Sequence, residues 1–143
     1  MLNRTMRRVA TTTIALLGAA ASGCAGGRGE PFQPTMLKPD QAVIYIFRTS
    51  NARLRTRPVQ SGGNQAPLAD LYPGQYIEDV VPPGEYLVRV ETNSSMVREV
   101  KLVAGQAVYL QVTTAGASSD PRLESPEPDL ARRLIAGTRR AQP

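Results

Sequence analysis

Four arginines fall within ten residues in the stretch RTSNARLRTR, at Arg48, Arg53, Arg55 and Arg57, with no acid among them. Guanidinium forks match carboxylates and phosphates, so the chemistry on offer is anion binding rather than bond making. In an extended segment Arg53, Arg55 and Arg57 share one side, because side chains alternate along a strand. A contact for an anionic polymer is one expectation; the plainer one is a solvated loop whose arginines serve solubility. The carboxylates offer less. Glu78 and Asp79 are neighbours, and neighbours on a strand face opposite ways, so without a bulge they share no substrate. Glu124, Glu127 and Asp129 cluster beside prolines without the ligand spacing of a calcium loop, and read as a solvated loop. The chain has no histidine. That removes the usual general base and every Ser-His or Cys-His pair. No Gly-x-Ser-x-Gly, phosphate-loop or dinucleotide fingerprint occurs either. The expectation is a protein that is not an enzyme, with no catalytic, cofactor-binding or metal-binding residues.

The remaining reactive side chain is Cys24, the only cysteine among 143 residues. It closes a segment built like an export signal: Arg4, Arg7 and Arg8 lead an uncharged apolar or small-residue run over residues 9–21, followed by Ser22 and Gly23. The run is too short and too alanine-rich for a spanning helix, which needs roughly 20 apolar residues. Ala21-Ser22-Gly23-Cys24 resembles the bacterial lipobox, where the thiol receives lipid and the chain is cut just before it. A lone cysteine has no internal disulfide partner, and a lipidated sulfur is no nucleophile. The expected anchor is therefore palmitate-type acyl chains on Cys24. One chain holds a protein only marginally, at about 10⁴ M⁻¹, whereas two or three make desorption negligible. Removing the signal changes the charge. The whole chain is +5, but with Arg4, Arg7 and Arg8 gone, 14 basic residues face 12 acidic ones, a net of +2. Much of the basicity belongs to the signal, and no nucleic-acid partner is expected.

Elements must position these groups, and the pattern is that of strands. Residues 25–40 carry Gly and Pro with no apolar period, and read with Cys24 as a flexible tether. Residues 42–48 form a β-branched and aromatic run, expected as a strand buried on both faces. Residues 55–60 and 65–71 are expected as weaker strands around the SGGN turn, at a sheet edge because Pro58 and Pro67 lack donors. The tetrapeptide Pro-Gly-(Gln/Glu)-Tyr occurs twice, at Pro73 and ten residues later at Pro83. Both copies suit type II turns, and two turns at that interval bracket one strand. Tyr76 and Tyr86 are expected to anchor the strands that follow. Residues 96–103 and 106–113 alternate cleanly about Ala104-Gly105 and are expected to pair as a hairpin with one wet face. After a polar stretch over residues 115–128, with an edge strand at residues 122–125, Asp129 is expected to cap a helix running through Gly137. Leu130, Leu134 and Ile135 are placed on its apolar face.

Together these residues resemble a family of small bacterial lipoproteins known as domain of unknown function 2846. AVIYIFRTS corresponds to that family's ALVYFYRP-like first strand, VPPGEY to its LPPGEH turn and LVAGQAVYLQV to its L-x-A-G-x-x-Y-Y-L hairpin. RLESPEPDLARRLI corresponds to its helical tail. The likeness spans roughly residues 39–135. RPVQSGGNQAPLADL departs from the family's second hairpin and leaves that pairing open. The resemblance implies a β-sandwich in the cell envelope and no assigned activity.

The combined expectation is a mainly β protein, an antiparallel sandwich of about seven strands, immunoglobulin-like or transthyretin-like, with a short C-terminal amphipathic helix. Its parts are a signal at residues 1–23, a lipidated tether at 24–40, the sandwich at 41–114, and a linker, edge strand and helix at 115–143. The expected role is a lipid-anchored, non-enzymatic binding or structural module at the outer membrane, facing the periplasm. Its partners would be the membrane, through the lipid, and an envelope protein or anionic cell-wall polymer through Arg53, Arg55 and Arg57. The alternative is an accessory subunit of an envelope complex, and a carboxylate-based hydrolase stands behind both.

Overall fold

Strand β1, Ala42–Phe47, is buried at every position. In the computed structural model, which describes residues 29–49, 59–61, 68–91, 95–114 and 121–142, the reason is that two separate apolar layers claim its two faces. Ala42, Ile44 and Ile46 join one cluster, and Val43, Tyr45 and Phe47 join another. An apolar run without alternation is what a strand covered on both faces requires.

The other strands are β2 (Val59–Ser61), β3 (Gln75–Val81), β4 (Gly84–Glu91), β5 (Ser95–Leu102), β6 (Ala107–Thr114), β7 (Pro121–Glu124) and β8 (Arg139–Arg140). A five-stranded sheet has the order β7-β6-β1-β3-β8, and a three-stranded sheet the order β2-β4-β5. The protein is mainly β, a two-sheet sandwich with a short C-terminal helix. Between the sheets, Ile44, Ile46, Ile77, Leu110 and Val112 meet Val88, Val90, Val100 and Leu102. On the far side of the larger sheet, Val43, Tyr45, Phe47, Tyr76 and Tyr109 lie under helix α1 (Pro128–Ile135), which contributes Ala131 and Ile135. Burying one such aliphatic side chain fully contributes about 1.5–3 kcal/mol.

Two pairings are parallel, β1 with β6 and β3 with β8. The hairpin expected from residues 96–103 and 106–113 is therefore corrected. Strand β5 pairs antiparallel with β4 over eight residues, while β6 lies in the other sheet between β1 and β7. Ala104-Gly105 carries the chain from one sheet to the other. Its amide at Gly105 donates to the Gln41 carbonyl (2.7 Å), and Val43 N–H donates to the Gln106 carbonyl (3.0 Å), so the turn is fastened to the start of β1. Alternation tells that a strand has one wet face; it does not tell which strand lies beside it.

The same correction applies around Pro58 and Pro67. Strand β2 exists at a sheet edge, as expected, but its partner is β4. Residues 68–71 form only a single bridge, at Ala69. Residues 62–67 lie outside the described residues.

Three turns of one design start the three central strands of the larger sheet. In Lys38-Pro39-Asp40-Gln41, Tyr72-Pro73-Gly74-Gln75 and Val103-Ala104-Gly105-Gln106, the glutamine amide donates to the first residue's carbonyl at 3.0, 3.1 and 3.1 Å. In each, the first residue's N–H donates back to the same glutamine's Oε1, at 3.0, 3.1 and 3.0 Å. Two donors and one carbonyl at a strand's entry are satisfied by a single residue, which is the accounting a strand end needs. Gly74 and Gly105 both sit at φ +77°, the value that the third position of a type II turn demands.

Helix α1 begins two residues earlier than expected and ends at Ile135, short of the expected Gly137. Glu127, not Asp129, is the cap, its carboxylate accepting from Asp129 N–H (2.9 Å) and Leu130 N–H (3.3 Å), with Pro128 opening the first turn where no N–H is needed. Asp129 instead pairs with Arg132. Leu130 is exposed; Ala131 and Ile135 form the buried stripe, with Leu134 at its margin.

Candidate functional site

Of the residues singled out for chemistry, Cys24, Arg53, Arg55 and Arg57 lie outside the described residues. Arg48 does not belong with that cationic patch. It is 1% exposed, and its Nη1 donates to the Leu71 carbonyl at 3.2 Å. Desolvation lowers its pKa. It follows β1 directly and ties the strand's end to the chain entering the first Pro-Gly turn, so it holds structure rather than a ligand.

Glu78 and Asp79 point to opposite faces. Glu78 pairs in register with Tyr45, of the helix-side layer, and Asp79 with Ile44, of the inter-sheet layer. Glu124 lies on β7, and Glu127 and Asp129 are spent on the helix start. Among the described residues no three His, Cys, Asp or Glu side chains converge on a metal-sized site.

What does converge is a group the pattern alone did not mark, at the β8 edge. Strand β8 runs parallel to β3, with Arg139 beside Gln75 and Arg140 beside Tyr76. Arg140 Nη2 donates to Glu78 Oε2 at 2.8 Å, and its guanidinium lies 5.7 Å from the Tyr76 ring centroid. Burial alone would lower the Arg140 pKa; Tyr76, Glu78 and Glu30 outweigh it and raise it. The Glu78 side chain is 10% exposed and that of Arg140 45%, so the carboxylate fixes the cation from below while the cation still meets solvent.

The wall of this place is the segment expected to be a tether. From Gly29 on, the chain lies along β8. Arg140 N–H donates to the Glu30 carbonyl (2.8 Å) and Phe32 N–H to the Thr138 carbonyl (3.1 Å), with Pro31 bridged to Arg139. Phe32 sets its ring edge-on to Tyr45 and to Tyr76, each at 5.2 Å, and the Tyr45 hydroxyl accepts from Thr35 N–H at 2.8 Å. Tyr109 stacks on Tyr45 at 5.2 Å, and its pKa is raised, first by burial. The missed signal was Phe32, one aromatic residue in a stretch without period.

Between this segment and β8 opens a cleft of about 430 Å³, lined by Glu30, Pro31, Gln33, Pro34, Thr35, Tyr76 and Arg140. Its volume falls within the range of small-molecule sites. Its chemistry is a solvent-facing arginine flanked by carboxylates, fit for weak ion recognition. A second groove of like volume runs between β5 and β7, lined by Met96, Val97, Arg98, Arg122, Leu123 and Glu124. There Arg98 Nη1 donates to the Leu123 carbonyl at 3.0 Å and links the two sheets.

No family model, curated protein or solved structure matches the chain.

Proposed function

We propose that the protein is a lipid-anchored module of the cell envelope, held by acyl chains on Cys24 at the outer membrane, facing the periplasm, with a binding or structural role and no enzymatic one. The observation that supports it is the order Arg4-Arg7-Arg8, uncharged apolar run, Ala-Ser-Gly-Cys, placed five residues before the described domain begins at Gly29. Among the described residues no helix is long and apolar enough to cross a membrane. Mass spectrometry of the N-terminal peptide from native membranes tests the reading. The expected species starts at Cys24 and carries diacylglyceryl on sulfur; a free thiol on an uncut chain would overturn it.

A second reading, an accessory subunit of an envelope complex, draws on the β5–β7 groove. Strand β5 is an eight-residue edge strand with Val97 50% exposed, and Val103 just beyond it is 61% exposed. Edge strands offer unpaired backbone groups to a partner. Crosslinking in intact envelopes separates the two: a stoichiometric protein on β5 favours the subunit. Retention on peptidoglycan or lipopolysaccharide, lost when Arg53, Arg55 and Arg57 become Ala, favours polymer binding.

A further inference from the structure

We infer that the β8 edge is the membrane-facing end of the domain, and that Arg133 and Arg139 lie against lipid headgroup phosphates while the β5–β7 groove points away from the bilayer. The inference rests on the lipid anchor proposed above and adds an orientation to it.

The length of chain decides the matter. Five residue steps separate Cys24 from Gly29, and a fully extended chain covers at most about 3.3–3.6 Å per residue, or about 17 Å. A domain of this size has a radius of gyration of about 13 Å, so its width exceeds the tether. The point where the tether enters must stay near the interface, while the far edge has no such bound.

That point is well held. Arg139 Nη1 donates to the Gly29 carbonyl at 3.2 Å, and the backbone bonds of Glu30 and Phe32 follow directly. Gly29 sits at φ +137°, and a Cβ there would come within 2.1 Å of the Arg140 carbonyl oxygen. Only glycine permits this approach. The exit of the chain is thus built into β8 rather than swinging free of it.

The charge at that end suits a phosphate surface. Arg139 and Arg140 form β8 itself, and Arg132 and Arg133 lie in the last turn of α1, whose end at Ile135 leads through Thr138 directly into β8. Arg132 is paired with Asp129 and Arg140 with Glu78. Among the described residues Arg133 and Arg139 have no ion pair and are exposed. Basic side chains within a Debye length of about 8–10 Å of an anionic leaflet are attracted to it. The opposite edge, β7, lies four strand spacings from β8 in the same sheet, or about 19 Å at roughly 4.8 Å per strand.

Lipidation caps the only natural thiol, so a new cysteine can be labelled alone. The full mature lipoprotein carrying Gln142→Cys, an exposed position just past β8, or Glu124→Cys, an exposed position on β7, is labelled with a fluorophore. It is then placed in vesicles of phosphatidylcholine and phosphatidylglycerol with a quencher at headgroup depth. Quenching at least about threefold stronger at position 142 than at 124 is expected, with the ratio falling when Arg133 and Arg139 are changed to Glu. Equal quenching, or stronger quenching at 124, on protein that floats with the vesicles overturns the orientation and leaves the anchor standing. An unchanged ratio in the Glu variant overturns the arginine contact. Protein that does not float with vesicles at all overturns the anchor and the orientation together.

Discussion

Pro73-Gly74-Gln75-Tyr76 and Pro83-Gly84-Glu85-Tyr86 differ by one side chain, yet they perform different tasks. The first is a closed turn: Gly74 takes φ +77°, Gln75 N–H reaches the Tyr72 carbonyl, and Gln75 Oε1 answers Tyr72 N–H. The second is a corner between sheets. Strand β3 ends at Val81 in the five-stranded sheet, and β4 starts at Gly84 in the three-stranded one, with Gly84 at φ +158°, far from the roughly +80° of a type II turn. The expectation of two type II turns holds for the first copy only. Glu85 makes no return bond. It faces solvent opposite Lys101, 3.6 Å away. The tyrosines part company too: Tyr76 lies at 1% exposure in the layer under α1, whereas Tyr86 packs partly on the inter-sheet core and donates its hydroxyl to the Pro82 carbonyl at 2.6 Å. A shared tetrapeptide thus sets where the chain bends, and the neighbours on each side set how.

The contrast has measurable consequences in urea unfolding. Tyr76→Ala is expected to cost about 3–5 kcal/mol, as for a large buried aromatic, because Phe32, Tyr45 and Arg140 all lose their contact. Tyr86→Ala should cost clearly less; equal losses would mean that the two anchors are equivalent. Gly74→Ala should cost about 1–2 kcal/mol, the penalty of left-handed backbone for a residue with Cβ. At Gly84 the added Cβ meets Tyr86 Cε2 at an ordinary 3.5 Å, but φ +158° is also a backbone that residues with a Cβ rarely adopt, so Gly84→Ala should cost a comparable amount, about 1–3 kcal/mol, through strain rather than a clash. Gln75→Ala removes one hydrogen bond and should cost about 0.5–1.5 kcal/mol. Glu85→Ala, which breaks only an exposed ion pair, should stay within about 0.5 kcal/mol of the parent. A Gln75→Ala loss no larger than that of Glu85→Ala would show that the return bond at Gln75 contributes nothing.

Local pattern carried much of the fold. The unbroken apolar run at 42–48, the alternation in β4, β5 and β6, and the Pro and Gly positions mark where strands begin and end, because each follows from side-chain period or backbone freedom over a few residues. Chain neighbours in sequence were the misleading guide to pairing. Strands β5 and β6 are joined by a tight corner and still lie in different sheets, β5 beside β4 and β6 hydrogen-bonded between β1 and β7. The glutamine returning from each turn was invisible for a related reason: Gln41, Gln75 and Gln106 look like ordinary polar loop residues until their partners are in place. The candidate site was least legible. Arg140 is an exposed tail arginine in the pattern, and only the parallel pairing of β8 with β3 brings it onto Glu78 and Tyr76.

By itself the sequence determined that this chain makes short strands with tight turns, carries no histidine chemistry, and presents one cysteine at the end of an apolar run. Those properties depend on residue type and on spacings of about ten residues or fewer. Only the tertiary structure decided which strands share a sheet, that Phe32 closes the outer layer, and that Gly29 is fastened to β8. These are contacts between residues as far apart as Gly29 and Arg139, and what selects them is the burial of two faces of β1 at once, a condition no local window contains.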